Sequence, residues 1–270
     1  MVCEILTVQD ACLNYGAFRA LDQVSFVLRQ GECLAIIGAN GAGKTSLFDA
    51  LSGYSSLSSG QIHLLNKRVD QLPMQDRFHA GLIRCDQQTR LFLKMSVLEN
   101  LQCAAFWHNT PARGRYAFWR LFSDMPSSQR LLMEVFDQIE MDVSPSTRAE
   151  DLSHADQKKL MLGMALASQA FVWLLDEPVA GLDVAQTQWV VSFIRKHKAG
   201  RAFLLVEHDL PVIFELADRI LVMEQGRMLA CDTPEHICRN AYIQETYLRG
   251  FGADGVEATG GVTGGNHVEA

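Results

Sequence analysis

One eight-residue segment constrains the fold of this 270-residue chain more than any other. It reads Gly38-Ala39-Asn40-Gly41-Ala42-Gly43-Lys44-Thr45 and fits the pattern G-x-x-x-x-G-K-[ST]. The apolar run Cys33 to Ile37 precedes it and has the length of a strand, and we expect a helix from Lys44 to Gly53 after it. A loop in this setting points successive backbone N–H groups at phosphate oxygens, and the helix N-terminus favours an anion there.

Two side chains of this phosphate loop have specific uses in that chemistry. The Lys44 ammonium reaches the β- and γ-phosphates of a nucleotide, and the Thr45 hydroxyl is placed to bind Mg²⁺. The alternative is a glycine-rich turn before an ordinary helix. The strand-like run before the loop favours the phosphate site.

A pair of carboxylates later in the chain complements the loop. The apolar run Phe171 to Leu175 ends in Asp176 and Glu177. In a parallel sheet this strand end lies beside the phosphate loop. Asp176 can then hold Mg²⁺ through water, and Glu177 can polarise an attacking water as a general base. Many strands simply stop at two solvated acids, so this interpretation depends on the loop.

The charge balance is consistent with a local anion site. The chain has 24 Lys and Arg against 31 Asp and Glu, a net charge of −7, which argues against a protein that coats nucleic acid. Seven scattered cysteines without a C-x-x-C pair predict reduced thiols. The longest apolar runs are far shorter than the roughly 20 residues of a membrane span, and the first residues lack a signal-peptide pattern.

The distribution of strand and helix signals indicates an α/β fold. Apolar strand-length runs recur at Phe171 to Leu175, Ala202 to Val206 and Ile220 to Met223, with helical patterns between them. This alternation is typical of a mostly parallel sheet with helices on both faces. Residues 3 to 30 read as short strands around a turn, which predicts an antiparallel β region. From about 95 to 168 the strand signal disappears, so we predict an inserted α-helical subdomain.

The order of the motifs resembles that of an ATP-binding cassette ATPase over about residues 3 to 250. After the phosphate loop come Leu152-Ser153-His154-Ala155-Asp156-Gln157, Asp176-Glu177-Pro178, Ala180-Gly181-Leu182-Asp183 and Glu207-His208-Asp209. Arg90-Leu91-Phe92, Val97-Leu98-Glu99-Asn100-Leu101 and Asp232-Thr233-Pro234-Glu235 are similar to cassette subunits of branched-chain amino acid importers. Leu152-Ser153-His154 and Pro178-Val179-Ala180-Gly181 are similar to the urea and short-amide branch. Both branches stay open.

The resemblance implies a P-loop NTPase core, ATP and Mg²⁺ as ligands, and ATP hydrolysis coupled to transport. It places the core at residues 3–85 and 169–250, and the helical subdomain at 86–168 with an insert at 107–128. The Gly-rich residues 251–270 are expected to be a disordered tail. The insert interleaves aromatic and basic side chains. Three roles for it stay open: packing on its own lobe, contact with the membrane or the permease, and contact with nucleic acid.

The resemblance also assigns roles to individual residues. Glu177 and His208 are the catalytic pair, with His208 bonded to the γ-phosphate. The expected nucleotide-binding set comprises Tyr15, Gly38, Ala39, Asn40, Gly41, Ala42, Gly43, Lys44, Thr45, Ser46, Gln87, Asp176 and Ser153. Thr45, Gln87 and Asp176 are the expected Mg²⁺ ligands, and Tyr15 would stack on adenine. Tyr15 can instead be a tyrosine of a surface turn, and Gln87 a surface glutamine preceded by Asp86 where an apolar residue is expected.

The segment that carries Ser153 departs from the L-S-G-G-Q signature of cassette proteins. Ala155 and Asp156 occupy its last two positions, and we expect the methyl group to crowd, and the carboxylate to repel, a phosphate held by the opposite subunit. Ser153 and Asp156 also fit a capping box, in which each side chain bonds the other residue's backbone N–H. We therefore hypothesise that the composite site using this signature is weakened, while Lys44 and Glu177 remain complete.

The expected assembly follows from the same resemblance. It contains a second, non-identical cassette and transmembrane permeases that work with a substrate-binding protein, and it excludes nucleic acid. The chain would sit peripherally on the cytoplasmic face of the inner membrane. The alternatives are a soluble, non-transport cassette ATPase and a subunit that clamps ATP with little turnover because of Ala155 and Asp156.

Overall fold

The computed structural model of this chain describes residues 3–87, 90–109 and 126–248. The tail at 251–270 and most of the insert at 107–128 lie outside the described residues, so their predicted roles stay predictions. The strands are β1 Glu4–Tyr15, β2 Phe18–Arg29, β3 Cys33–Ile37, β4 Ser59–Leu64, β5 Lys67–Arg68, β6 Leu82–Cys85, β7 Val172–Asp176, β8 Ala202–Val206, β9 Arg219–Glu224 and β10 Arg227–Asp232. The helices are α1 Lys44–Ser52, α2 Met74–His79, α3 Val97–Asn109, α4 Pro126–Gln138, α5 His154–Ala167, α6 Val184–His197, α7 Leu210–Leu216, α8 Pro234–Arg239 and α9 Ala241–Tyr247.

A six-stranded sheet with the order β10-β9-β3-β8-β7-β6 forms the centre of the fold. The contacts of β3 with β8 and β9, and of β7 with β6 and β8, are all parallel, while β10 pairs antiparallel with β9. The carboxyl ends of five strands therefore meet at one edge. The predicted α/β class with a mostly parallel sheet is confirmed.

Side chains of the central strands alternate between two apolar layers, as the period of a β-strand requires. In β7, Val172 and Leu174 pack into the layer that contains α1 and the N-terminal strands. Trp173 and Leu175 point the other way, into the layer that contains α3, α5 and α6. Both faces of the sheet are thus covered, which explains why β7 reads as a continuous apolar run.

A second, antiparallel sheet has the order β2-β1-β4-β5 and contains the predicted N-terminal β region. Its first two strands are 12 residues each, longer than the short strands expected from sequence. Shifts in the pairing register, with positive φ at Asp10 and Gln23, let this long ribbon bend without ending.

The chain between β6 and β7 is helical in its described part. It comprises α3, α4, a short 3₁₀ turn at Ala149–Asp151 and α5, which confirms the inserted α-helical subdomain. Pro126 lies at the start of α4, where its missing N–H costs no hydrogen bond. Among all the described residues, no helix has the length and apolar content that crossing a bilayer requires.

Candidate nucleotide-binding site

The phosphate loop occupies the connection between β3 and α1, as its motif requires. A β-carbon on Gly38 would overlap the carbonyl oxygen of Met223, and one on Gly43 would lie 2.7 Å from the carbonyl oxygen of Ala20. Gly43 also has a φ of 102°, in the left-handed region. Only glycine fits these two positions, so the loop can curl tightly against β9 and β2.

Lys44 is the first residue of α1, and its side chain folds back over the loop. Its Nζ donates to the carbonyl oxygens of Gly38 at 2.6 Å and Ala39 at 3.1 Å. Burial lowers the pKa of Lys44, and the negative charges of Glu177 and Asp176 oppose that shift. The ammonium is therefore held at the loop, where it faces the acidic strand end.

Asp176 is the last residue of β7 and is held by Arg84 of the neighbouring strand β6. Arg84 donates to Asp176 at 3.2 Å and to Asp49 of α1 at 2.6 Å, and it forms an ion pair with Asp86 at 2.6 Å. Burial raises the pKa of Asp176, and the charge of Arg84 acts against that shift. This guanidinium thus links β6, β7 and α1 at the cleft floor.

Two predicted site residues, Gln87 and His208, meet at the side chain of Glu177. Gln87 Nε2 donates to Glu177 Oε2 at 2.5 Å, and His208 Nε2 lies 3.1 Å from Glu177 Oε1. Glu177 has a φ of 47°, an uncommon value for a residue with a side chain. Its backbone N–H donates to the carbonyl oxygen of Val206 at 2.8 Å, so the strand end of β8 fixes the turn.

A buried carboxylate that the sequence analysis did not assign supports His208. Glu207 accepts from the backbone N–H of Val179 at 3.0 Å and of His208 at 3.1 Å. It is 4% exposed, and burial raises its pKa while those backbone bonds lower it. Glu207 therefore ties the segment after β7 to the segment after β8.

These groups surround one cleft of about 470 Å³ beside the phosphate loop. Its lining includes residues 40–46 of the loop together with Gln87, Asp176, Glu177 and His208. Among the described residues, the carboxylates on its walls are those of Asp86, Asp176 and Glu177, and the Lys and Arg side chains are Lys44, Arg84 and Arg90. The cleft walls are close to neutral.

The residues present fit ATP and Mg²⁺. A β-carbon on Gly41 would meet no other atom within 4 Å, so the loop is open at this position, and α1 begins directly at the loop. Thr45, Gln87 and Asp176 all line the cleft and offer a hydroxyl, an amide oxygen and a carboxylate. These oxygen ligands are the type that Mg²⁺ prefers.

The structure does not bring every predicted residue to this cleft. The Tyr15 ring is half exposed at the end of β1, its hydroxyl lies 3.1 Å from Ser55 Oγ, and Tyr15 does not line the cleft. Phe18, at the start of β2 in the same turn, does line it. The sequence prediction placed the adenine contact at Tyr15, whereas the turn geometry brings the Phe18 ring, and not the Tyr15 ring, to the cleft.

Ser153 lies away from the cleft as the N-cap of α5. Its Oγ accepts from the backbone N–H of Asp156 at 3.1 Å and donates to the Asp156 carboxylate at 2.6 Å. The predicted capping box has two bonds to backbone N–H groups; here the carboxylate bonds the serine hydroxyl instead. The short side chain of Asp, compared with the Glu or Gln usual at this position, favours the nearer hydroxyl partner.

Arg84 is the clearest functional candidate that sequence reasoning missed. It is the single charged residue in the four-residue strand β6, three positions before Gln87. A charged residue within an otherwise apolar stretch is a usable signal for a buried ion pair.

Comparison with known proteins gives consistent matches. The family model described as "ABC transporter" matches residues 21–180. The high-affinity branched-chain amino acid transport ATP-binding protein LivG of Salmonella typhimurium is 33% identical over 257 residues, which cover 90% of this chain and 97% of LivG. Its counterpart BraF of Pseudomonas aeruginosa is 29% identical over 260 residues, covering 90% and 97%. The ADP conformation of MJ1267, an ATP-binding cassette of an ABC transporter, superposes with a TM-score of 0.79 at 24% identity, over 91% of this chain and 98% of that one.

Proposed function

Because this chain belongs to the ABC transporter family and is an ATP-binding cassette ATPase, we propose that it binds and hydrolyses ATP to power a membrane importer. The observation that carries the proposal is the Glu177 carboxylate, held by Gln87 and His208 beside a complete phosphate loop. A cassette that binds ATP without hydrolysing it does not require a carboxylate held in this position.

The roles follow from what each group can donate or accept. The loop amides and the Lys44 ammonium hold the phosphates, and His208 donates from Nε2 to the terminal phosphate. Glu177 accepts a proton from the attacking water as general base. Mg²⁺, when bound by Thr45, Gln87 and Asp176, neutralises negative charge on the phosphate chain.

An apolar groove next to the nucleotide cleft supports coupling to a permease. The groove lies between α2, β6 and α3 and has a volume of about 670 Å³. Tyr54, Met74 and Phe92 line it with large exposed surfaces, 68% in the case of Tyr54. Arg84 and Arg90 line both the groove and the nucleotide cleft. A permease segment seated there would contact the same guanidinium that holds Asp176.

We propose branched-chain amino acids as the cargo class and the cytoplasmic face of the inner membrane as the location of the chain. The support is the similarity to LivG and BraF over nine-tenths of the chain. The partners would be a second, non-identical cassette, the permeases and their substrate-binding protein. Urea and short amides remain the alternative cargo.

The test is reconstitution of the chain with its proposed permeases and second cassette. We expect ATP-dependent uptake of radiolabelled leucine by proteoliposomes supplied with the cognate binding protein, measured against the same vesicles without ATP. Uptake of urea but not of leucine would indicate that the cargo belongs to the urea and short-amide class. Steady ATP hydrolysis by a chain that captures no membrane partner would instead indicate a soluble cassette ATPase.

The bond between Ser153 and Asp156 favours a second candidate, an ATP clamp with little turnover. In Asp156→Gln the carboxylate that holds the Ser153 hydroxyl is removed, together with a negative charge near the approaching phosphate. We expect the ATP turnover of the assembled complex to rise about fivefold, the equivalent of roughly 1 kcal/mol in the barrier.

Asp142→Asn is the matched control for that experiment, because Asp142 is exposed on the same helical subdomain and its replacement removes the same charge. Its turnover should stay at the level of the unmodified complex. An unchanged or reduced rate in Asp156→Gln would contradict the weakened-signature hypothesis.

A further inference from the structure

A buried lysine in α5 is not used by any role assigned above. Lys158 is 1% exposed and lies on the helix face that also carries Met161, Leu162 and Ala165, all of them buried. Burying an ammonium group costs several kcal/mol unless hydrogen bonds and opposite charges compensate for lost hydration. The groups that compensate for the burial of the Lys158 ammonium therefore indicate the role of this residue.

The hydrogen bonds of Lys158 lead to the two residues that meet at the proposed catalytic carboxylate. Its Nζ donates to the backbone carbonyl of Gln87 at 2.9 Å and to that of Glu177 at 3.4 Å. The ammonium thus holds the main chain of both residues, while their side chains bond each other at 2.5 Å. For Glu177, this contact supports a backbone conformation that is costly to hold.

The charges around Lys158 belong to the same site. Burial lowers the pKa of Lys158, and the carboxylates of Glu207, Glu177 and Asp176 oppose that shift. Glu207 is buried as well and bonds the backbone of His208. Lys158 is therefore a positive charge set among the carboxylates at the ends of β7 and β8.

Three segments converge on this ammonium: α5, the residues after β6 and the residues after β7. Helix α5 begins at His154 with Ser153 as its N-cap, and Lys158 lies five residues after that cap. A displacement of α5 along or about its axis must therefore shift the carbonyl groups of Gln87 and Glu177, or break their bonds to Nζ.

We propose that Lys158 is a positioning residue for ATP hydrolysis, which ties helix α5 to the main chain of Gln87 and Glu177 and so sets where the Glu177 carboxylate stands relative to the phosphate loop. This role rests on the proposed function of Glu177 as general base. Lys158 lines no part of the nucleotide cleft and acts through the backbone of other residues.

The test compares the ATPase kinetics of full-length Lys158→Met, Lys158→Arg and Lys159→Met. Lys159 is the matched control, because it is adjacent on α5 and also donates to a backbone carbonyl, that of Glu140 at 2.8 Å, with its ammonium over the Trp189 ring. We expect Lys158→Met to reduce kcat by about 10- to 100-fold, the effect of a misplaced catalytic group, with KM within about twofold of the unmodified chain.

Rescue by arginine separates positioning from packing. Lys158→Arg keeps a charged donor and should recover most of the lost kcat, whereas Lys159→Met should match the unmodified chain. A kcat in Lys158→Met within about threefold of the unmodified chain would overturn the proposal. So would equal losses in the methionine and arginine variants, or a raised KM at constant kcat.

Circular dichroism and the melting temperature with ATP in EDTA establish that each variant is folded and binds nucleotide. If Lys158→Met does not fold, Lys158→Gln replaces it, and the ratio of its kcat to that of Lys158→Arg decides the outcome. Glu177→Gln is measured in parallel. If Glu177→Gln keeps full turnover, the proposed function itself is contradicted. If Glu177→Gln loses turnover and Lys158→Met does not, only the positioning role is contradicted.

Discussion

Glu177→Gln is expected to reduce ATP turnover by about a thousandfold, in the range measured for loss of a general base, while ATP remains bound. The amide has the shape of the carboxylate but cannot accept the proton of the attacking water. The change also replaces the charged partner of His208 with a neutral one at the same 3.1 Å position. Turnover is measured as phosphate release, and binding as the rise in melting temperature on addition of MgATP.

The control for this variant removes a carboxylate on the same core at a distance from the cleft. Glu215→Gln loses a partly exposed ion pair with Arg195, a type of pair that contributes little to stability, and should keep full turnover. Retention of more than about a tenth of the turnover in Glu177→Gln would exclude Glu177 as the general base.

Lys44→Met is expected to weaken ATP binding by about 100-fold or more. The change removes the ammonium group that bonds the carbonyl oxygens of the phosphate loop and faces the acidic end of β7. The same variant should be at least as stable as the unmodified chain without nucleotide. Burial lowers the pKa of Lys44, which means that the charged form is costly in the folded state, and methionine avoids that cost.

Lys44→Met should therefore have opposite effects on the stability of the nucleotide-free chain and on ATP binding. The melting temperature without nucleotide should hold or rise, and the increase on adding ATP at a concentration that saturates the unmodified chain should disappear. Lys67→Met, at an exposed position in β5, should retain the full increase. A lower melting temperature of Lys44→Met without ATP, together with normal ATP binding, would contradict both expectations.

The parts of the fold and site that could be predicted from the sequence are those determined by local chemistry. The phosphate loop is specified by glycines and a lysine within eight residues, and β3 and α1 flank it as expected. Asp176 ends a strand buried on both faces and Glu177 follows it, so their place at the sheet edge is expected from the apolar run. The Gly53 cap of α1 has the left-handed conformation that its position predicts.

The strands that were missed are those whose pattern is broken by tertiary contacts. Arg84 interrupts β6, since it pairs with carboxylates on α1 and β7 that are far away in the chain. Strand β10 is largely exposed at the sheet edge, so it lacks the apolar run by which the central strands were recognised.

The same reason explains the missed site residues. Lys158 donates to a carbonyl group 71 residues earlier, and Glu207 accepts from an N–H group 28 residues earlier. No local pattern encodes these pairings. A lysine spaced three, four and seven residues from apolar helix positions does stand out in the sequence, and such a residue is a sound candidate for a buried structural or functional charge.

The near balance of charge on the walls of the cleft has a consequence for how nucleotide arrives. A strongly basic cleft would pull ATP in from solution by long-range attraction, and its association rate would fall steeply as ionic strength rises. Here the cations beside the loop are offset by carboxylates, in a chain of net charge −7. Capture therefore depends on short-range groups met only after contact, so nucleotide association should change little across the range of salt concentrations found in cells.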